Sequence, residues 1–159
     1  MTTKRAKRAS VAPGGPQLVE LIGNAELQGV AFLELHASRK DIEGASEWEP
    51  DDGPNMRVWY RAEDSQIQVR CRLDLRTEEA RFVADAVADF SVSGDLPSQE
   101  SVQAGFTQRI GVAVIYPYLR ESVHNLAQKI GVDPPILSLI ARALNDFESP
   151  VSASKADSV

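Results

Sequence analysis

The sequence predicts an α+β domain in which a four-stranded antiparallel sheet is followed by two helices, the first of them long and kinked at a proline. Four segments between residues 25 and 91 alternate apolar and polar side chains, and two later segments repeat apolar side chains every three or four positions. The strand-like segments all precede the helical ones, an order typical of α+β folds. With 159 residues, 43% of them hydrophobic, the chain suits a single domain, which we place at 17–147.

The two ends of the chain are predicted to be disordered. Residues 1–16 combine basic side chains with prolines and glycines, a composition that buries too little apolar surface to offset the entropy of ordering. This basic arm could contact nucleic acid or an acidic partner, but a solvated tail is the simpler interpretation. Residues 148–159 are polar and form a second predicted tail. Between the ends, Gln17–Ile22 is predicted to form one or two helical turns that end at Gly23 and Asn24.

The first predicted strand, Ala25–Lys40, has two partly apolar faces under strict alternation. One face would carry Leu27, Gly29, Ala31, Leu33, Leu35 and Ala37, and the other Gln28, Val30, Phe32, Glu34, His36 and Ser38. A face given to water is seldom half apolar, so we expect a partner surface here. Val30 and Phe32 are therefore predicted to lie in an interface between subunits.

The remaining strands are predicted at Met56–Ala62, Ile67–Arg76 and Ala80–Ser91. The link Thr77–Glu79 is so short that the third and fourth strands must form an antiparallel hairpin. The inner face of the fourth strand is mostly alanine. These small side chains leave room for a helix to lie close against the sheet.

The segment after the sheet contains the most apolar predicted helix, with Ser98 as its N-cap and Gly131 at its end. Pro117 lacks an N–H group and its ring collides with the carbonyl oxygen of Ala113, so we expect a kink or a break at Tyr116–Pro117. A second helix is predicted over Ile136–Phe147.

Apolar side chains lie on more than one side of the first helix, and a single sheet covers only one side. Val123 and Leu126 are therefore assigned, with the first strand, to a subunit interface.

No pattern in the sequence supports catalysis or the binding of a cofactor or metal. The two histidines, His36 and His124, are isolated from any ligand spacing, so a structural or surface role is expected. Asp85 and Asp89 share a strand face about 13 Å apart, too far for a catalytic pair, and are predicted to be solvated. A calcium site among Glu49, Asp51 and Asp52 lacks the EF-hand spacing, so the loop is interpreted as a solvated acidic turn.

Charge and cysteine content restrict the partners and the compartment. The net charge of −6 argues against nucleic acid or an anionic membrane as partner of the folded domain. Cys71, the only cysteine, cannot form an intrachain disulfide; it lies on the apolar face of the third strand, and a reducing, cytoplasmic location is expected. No apolar run is long enough to span a bilayer, and the first residues do not resemble a signal peptide.

One motif suggests a family. The run Tyr116-Pro117-Tyr118-Leu119-Arg120-Glu121, inside a long apolar helix that follows a hairpin, resembles the aromatic-Pro-Tyr-x-Arg-Glu signature of the SecB family of export chaperones. The order of strands and helices from about 25 to 147 is similar as well. The resemblance implies an ATP-independent chaperone, a homotetramer built as a dimer of dimers, which binds unfolded polypeptides in apolar grooves and passes precursors to the SecA motor. The alternative is a module similar to SecB-like proteins that is dedicated to one partner, such as an antitoxin.

The resemblance and the apolar pattern together give candidate site residues. Those expected to bind clients are Phe106, Ile110, Val114, Tyr116, Tyr118, Leu119, Ile136, Leu137 and Ile140. For the two tyrosines an alternative stays open, because aromatic residues beside a kink often only fill the core. The resemblance also implies that Glu34 and Glu78 dock SecA.

Overall fold

The computed structural model describes residues 15–43, 47–138 and 151–152, the last two by their backbone only. The described part of the chain begins with helix α1, Gly15–Asn24, and continues with four strands: β1 Ala25–Arg39, β2 Asn55–Glu63, β3 Gln66–Arg76 and β4 Ala80–Val92. The helical region follows, with α2 Glu100–Phe106, a π-helical turn Thr107–Gly111 and α3 Val112–Ile130. A short strand, β5 Val151–Ser152, comes last. The predicted α+β order of four antiparallel strands followed by a helical region is confirmed. Of the predicted disordered arm and tail, residues 15–16 begin α1 and residues 151–152 form β5; the remainder lies outside the described residues and stays a prediction.

The strands form one sheet in the order β1-β4-β3-β2-β5. The pairs β1–β4, β4–β3 and β3–β2 are antiparallel, whereas β5 pairs with β2 in parallel, with Val151 opposite Trp59. The predicted β3–β4 hairpin is present, and its link is closed by the Thr77 hydroxyl, which accepts a hydrogen bond from the Ala80 amide at 3.0 Å. Strands β3 and β4 therefore occupy the centre of the sheet.

Two irregularities in β1 make the predicted division of its faces wrong. The register against β4 shifts between Leu27 and Gly29 and again between Phe32 and Glu34. Each shift adds a residue to β1, and an added residue reverses which side chains face the core. Val30 and Phe32 consequently lie opposite alanines of β4 that face the helices, on the same face as Leu27 rather than on the face opposite to it.

The helices cover one face of the sheet, and the core lies between them. Its largest buried side chains include Phe82 on β4, Phe106 at the end of α2, and Ile115 on α3. The alanines of β4 allow this close packing, as predicted, and Phe90 meets Phe106 edge to face at 5.2 Å between ring centroids. We call this side of the sheet the helix face and the opposite side the outer face.

The long helical segment contains an irregularity that the sequence did not predict. Helix α3 runs without a break through Pro117, so the predicted break at Tyr116–Pro117 is wrong, while a kink there stays a prediction. The backbone instead widens to a π-helical turn five to ten residues earlier, where the Val112 amide bonds the Thr107 carbonyl oxygen. At Gly111 this turn lies so close to the sheet that a Cβ atom would be 2.7 Å from a methyl group of Val69.

The helix ends agree in part with the predictions. The N-cap of α2 is Gln99, without a side-chain cap, so the prediction of Ser98 is wrong by one residue. Gly131 ends α3 in the left-handed conformation with φ 71°, as predicted. The second helix, predicted over Ile136–Phe147, lies mostly outside the described residues, and the described part, up to Ser138, is not helical. Among the described helices, none combines the length and apolar character needed to cross a membrane.

Candidate functional site

A groove lies between α3 and the segment that follows it, residues 133–138. It has a volume of about 640 Å³, within the range typical of ligand-binding clefts. Its lining residues are Pro117, Arg120, Glu121, His124, Pro134, Pro135, Ile136 and Leu137. We call it the α3 groove.

The wall formed by residues 133–138 is anchored at both ends. At its start, Gly131 reverses the chain and the Val132 amide donates to the Ala127 carbonyl oxygen at 3.1 Å. At its end, the Tyr116 hydroxyl donates to the Ser138 carbonyl oxygen at 2.9 Å. Leu137 is buried against the core between these two anchors. The wall is thus held without regular secondary structure, close to α3.

One apolar side chain that lines the groove is fully exposed to solvent. Ile136 is 100% exposed, although neighbouring Leu137 is buried. Pro134 and Pro135 restrict the backbone before Ile136, so less conformational entropy is lost when a ligand binds there. The side of the groove formed by α3 carries the polar groups of Arg120, Glu121 and His124. This combination of a fixed apolar anchor and a polar rim suits an extended polypeptide segment.

The predicted client-binding residues fall into three groups in the structure. Phe106, Tyr116 and Leu119 are buried in the core, so they cannot touch a client unless the core opens. Ile110 and Val114 are half-buried at its margin. Tyr118 and Ile136 are exposed, Leu137 lines the groove from below, and Ile140 lies outside the described residues. The groove therefore brings together Ile136 and Leu137 with residues that were not assigned to it.

The residues missed are Arg120, Glu121, His124, Pro134 and Pro135, together with Pro117 as a lining residue. A signal for part of this set was present in the sequence. Positions 117, 120, 121 and 124 are three or four apart and therefore share one helix face. The approach of residues 134–137 to that face depends on the reversal at Gly131, which helical spacing does not show.

The residues predicted to form the subunit interface differ in how exposed they are. Val123 is fully buried and Leu126 partly buried under the sheet, whereas Val30 is half-buried at the sheet margin. Phe32 is exposed, and so are three further apolar side chains of β1, namely Leu27, Leu33 and Leu35. Exposed apolar surface thus concentrates on β1, which agrees with the expectation of a partner surface on this strand but does not test it.

The outer face contains a buried carboxylate where solvated acids were predicted. Asp85 is 0% exposed and accepts hydrogen bonds from Arg70 at 2.7 and 3.0 Å and from Arg72 at 3.1 Å. The prediction of a solvated Asp85 is wrong because β4 is central, and long side chains from β3 lie over it. The hydrogen bond to Asp85 raises the pKa of Arg70. Asp89, farther along β4, is exposed as predicted and accepts from Gln68 at 2.8 Å.

The two residues assigned to SecA docking lie in different surroundings. Glu34 lies on the outer face and is ion-paired with Arg72. Glu78 is exposed in the β3–β4 link, beside a cavity of about 320 Å³ that Arg39 and Lys40 also line. Glu34 is therefore partly neutralised inside the chain.

Three other residues considered in the sequence analysis, Asp51, Cys71 and His36, lie in a loop, in the core and on the surface, respectively. Asp51 accepts hydrogen bonds from the backbone amide and the guanidinium group of Arg76, so it ties the acidic loop to the end of β3. Cys71 is fully buried on the helix face, as its position in the alternation predicts, and burial raises the pKa of its thiol to about 12. His36 is exposed on β1.

The fold and sequence are similar to those of known proteins, although no family model matches the chain. The SecB-like chaperone SmegB of Mycolicibacterium smegmatis is 32% identical over 129 residues, which cover 81% of this chain and 84% of that protein. Among solved structures, the Mycobacterium tuberculosis SecB-like chaperone Rv1957, in complex with a ChAD peptide from the HigA1 antitoxin, superposes with a TM-score of 0.63 at 20% identity, covering 77% of this chain and 92% of that one. A Streptococcus agalactiae protein of unknown function superposes with a TM-score of 0.52 at 12% identity, covering 72% and 97%. From the identity and coverage of the mycobacterial relative, the chain belongs to the family of SecB-like chaperones.

Proposed function

We propose that this chaperone holds unfolded or precursor polypeptides by binding extended segments in the α3 groove, without ATP and without a catalytic residue. The observation that carries the proposal is the fully exposed Ile136, held beside α3 by Tyr116 and Leu137. An apolar side chain of a client that packs against Ile136 leaves water with it, and such burial contributes about 25 cal/mol per Å² whatever the client sequence. The binding is therefore tolerant of sequence.

A single groove of this size binds weakly, so affinity for a long client would accumulate over several grooves. We propose a homotetramer, a dimer of dimers, for this reason. The exposed apolar residues on β1, with Phe32 among them, support an assembly of subunits through this strand. Sedimentation at micromolar concentration tests it, and a monomer would refute the assembly.

The clients distinguish two uses of the same groove. In the first, the chaperone keeps precursors competent for export and docks SecA through acidic positions; a cytoplasmic location fits its one buried thiol. Glu78 is exposed and supports this use, whereas Glu34 is already paired with Arg72. In the second, it guards one partner, which the antitoxin peptide bound to the mycobacterial fold relative supports.

The groove is tested by removing its exposed apolar anchor. Ile136→Ser should abolish or strongly weaken the suppression of aggregation of an unfolded substrate. Ile42→Ser is the matched control, because Ile42 is also an exposed isoleucine outside the core but does not line the groove. If both variants hold substrate as well as the parent chain, clients bind elsewhere.

A second variant tests the anchoring of the groove wall. Tyr116→Phe keeps the aromatic ring in the core and removes only the hydrogen bond to Ser138. A net loss of about 0.5–1.5 kcal/mol is typical of such a bond, so the affinity for a client peptide should fall about two- to tenfold. Unchanged affinity would show that the wall does not depend on this contact.

The two uses are separated by capture from a lysate. A dedicated chaperone retains one saturable partner and ignores unrelated unfolded chains, whereas an export chaperone retains many. SecA docking is tested by Glu78→Lys, which should weaken binding to SecA at moderate salt while client holding is kept. An unchanged affinity for SecA in this variant would remove Glu78 from the docking surface.

A further inference from the structure

We propose that the outer face of the sheet binds a short, extended acidic polypeptide segment, at a site separate from the α3 groove. The site is a cluster of four arginines from three adjacent strands, which we call the arginine cluster: Arg57 on β2, Arg72 and Arg76 on β3, and Arg81 on β4. They line a cavity of about 380 Å³ together with Asn55 and two aspartates.

The charge of this cavity is opposite to that of the chain. Its lining contains four arginines and two aspartates, Asp51 and Asp74, a difference of two positive charges. Adding Glu34 and Asp85, which pair with Arg72, and Arg70, which pairs with Asp85, leaves an excess of one. The chain as a whole carries −6. The arginine cluster is thus a local basic site on an acidic protein.

The strand register places like charges directly opposite each other within the cluster. Arg57 lies opposite Arg72 in the β2–β3 pair, and Arg76 lies opposite Arg81 in the β3–β4 pair. Directly opposed like charges destabilise a sheet. The chain's own carboxylates offset this repulsion at Arg72, Arg76 and Arg81. Arg57 has no carboxylate partner among the described residues, so an anion bound between Arg57 and Arg72 would offset the repulsion that remains.

The internal ion pairs leave the guanidinium groups outermost. Arg76 is 44% and Arg81 42% exposed, whereas their partners Asp51 and Asp74 are only 19% and 29% exposed. In the described part of the chain, Arg57 is exposed and has no carboxylate partner at all. A ligand approaching from solvent therefore meets guanidinium groups before carboxylates, with Arg57 the arginine most available to it.

The spacing of the cluster indicates the form of the ligand. Arg72 and Arg76 are four residues apart on one strand, so the two like-charged pairs are separated by about 13 Å. Two acidic side chains four residues apart in an extended segment have the same separation. The planar fork of a guanidinium group matches a carboxylate, and four arginines of this face, Arg61, Arg70, Arg76 and Arg81, already bind carboxylates with two nitrogens.

A nucleic acid fits the same face less well. It needs a continuous basic surface along its backbone, whereas the outer face carries Glu63, Asp89 and Glu26 beyond the cluster. The favoured occupant is therefore a short segment of a partner polypeptide that carries a few acidic side chains.

The test is a fluorescence-anisotropy titration of the full chain with a short labelled peptide that has glutamates at positions i and i+4 among serines and threonines. We expect saturable binding that weakens as salt increases, and its loss when both glutamates are replaced by glutamine. Arg57→Gln should weaken binding about tenfold or more, since it removes a cluster charge without breaking an internal pair. Arg61→Gln is the matched control, because Arg61 lies on the same face of the same strand, outside the cavity and paired with Glu63. It should change affinity less than about twofold.

Three outcomes would overturn the proposal. The first is that the acidic peptide fails to bind, and the second is that Arg57→Gln and Arg61→Gln weaken its binding equally. The third is that a single-stranded oligonucleotide or inorganic phosphate displaces the labelled peptide at concentrations where the unlabelled peptide does not. Ile136→Ser should leave the affinity for this peptide unchanged, so failure of the arginine cluster and failure of the α3 groove are observed separately. Thermal unfolding of each variant confirms that the fold is intact.

Discussion

The close approach of the helical segment to the sheet at Gly111 gives a prediction whose size follows from the structure. A Cβ atom on Gly111 would lie 2.7 and 2.8 Å from the two methyl carbons of Val69. Val69 is fully buried on β3, a central strand, and cannot move aside without displacing its neighbours. Gly111→Ala should therefore overpack the core.

Two opposing effects set the magnitude. Alanine is favoured over glycine inside a helix by about 1 kcal/mol. Overpacking of a dense core costs about 1–3 kcal/mol. We expect Gly111→Ala to lower the free energy of unfolding by up to about 2 kcal/mol, instead of raising it by the ~1 kcal/mol that helix propensity alone predicts.

A double-mutant cycle with Val69→Ala identifies the cause. Val69→Ala alone leaves a cavity and should cost about 2 kcal/mol. In that background the new methyl group has room, so Gly111→Ala should stabilise the protein, and the coupling energy should be about 2 kcal/mol.

The measurement is urea-induced unfolding at two protein concentrations, so that any effect of assembly on stability is visible. Stabilisation by Gly111→Ala in the parent chain, with the two changes additive, would refute the packing that the structure shows at the π-helical turn.

Three further predictions concern the sheet. Asp85→Ala should lower the free energy of unfolding by roughly 2–4 kcal/mol in urea unfolding, because it leaves two arginines over an apolar strand; a loss below about 0.5 kcal/mol would show that the buried carboxylate contributes little. The hydrogen bond from Arg81 holds the pKa of Asp74 in the folded protein below its usual value of about 3.9. The ionised carboxylate therefore stabilises the fold at pH values above about 3.9, and this stabilisation is lost as the pH falls through the lower pKa of the folded state. Asp74→Asn should therefore reduce stability at neutral pH and flatten the loss below about pH 4, and an unchanged acid profile would contradict this. The thiol of Cys71 should resist alkylation in the native protein and react at the rate of unfolding, as its buried position and pKa of about 12 require; rapid labelling without denaturant would be inconsistent with both.

The sequence predicted the strands well because alternation is a local property. The third strand alternates throughout, and the structure contains it as β3, with Val69 and Cys71 among its buried side chains. Strict alternation failed on β1, because the two register shifts there depend on pairing with β4 and leave no mark in the sequence of β1. Of the exposed apolar residues of β1, only Phe32 was assigned to a partner surface, and Val30 and Phe32 were placed on the wrong face.

The helical segment shows the same limit in another form. The missing N–H group and the ring of Pro117 are properties of a single residue, and they predicted a break at a position where α3 in fact continues. The wider turn at Thr107–Gly111 reflects tertiary packing of a glycine on Val69, which is 42 positions away in sequence. The groove was half predicted for the same reason: Ile136 and Leu137 were identified by their apolar character, whereas His124 and Pro134 join them only through the reversal at Gly131.

The sheet has two edges that differ in what they offer another chain. Along β2, residues Val151 and Ser152 add a short parallel strand, so part of the backbone at Trp59 and Tyr60 is already paired. Strand β1 is the other edge, 15 residues long; it pairs with β4 on one side, and on its other side no strand lies among the described residues. A sheet with two open edges can add neighbours without limit, which is the geometry of fibrous aggregation. Part of the β2 edge is occupied by the chain itself, so β1 offers the longer open edge among the described residues, and pairing of two β1 edges would give a closed, two-fold pair.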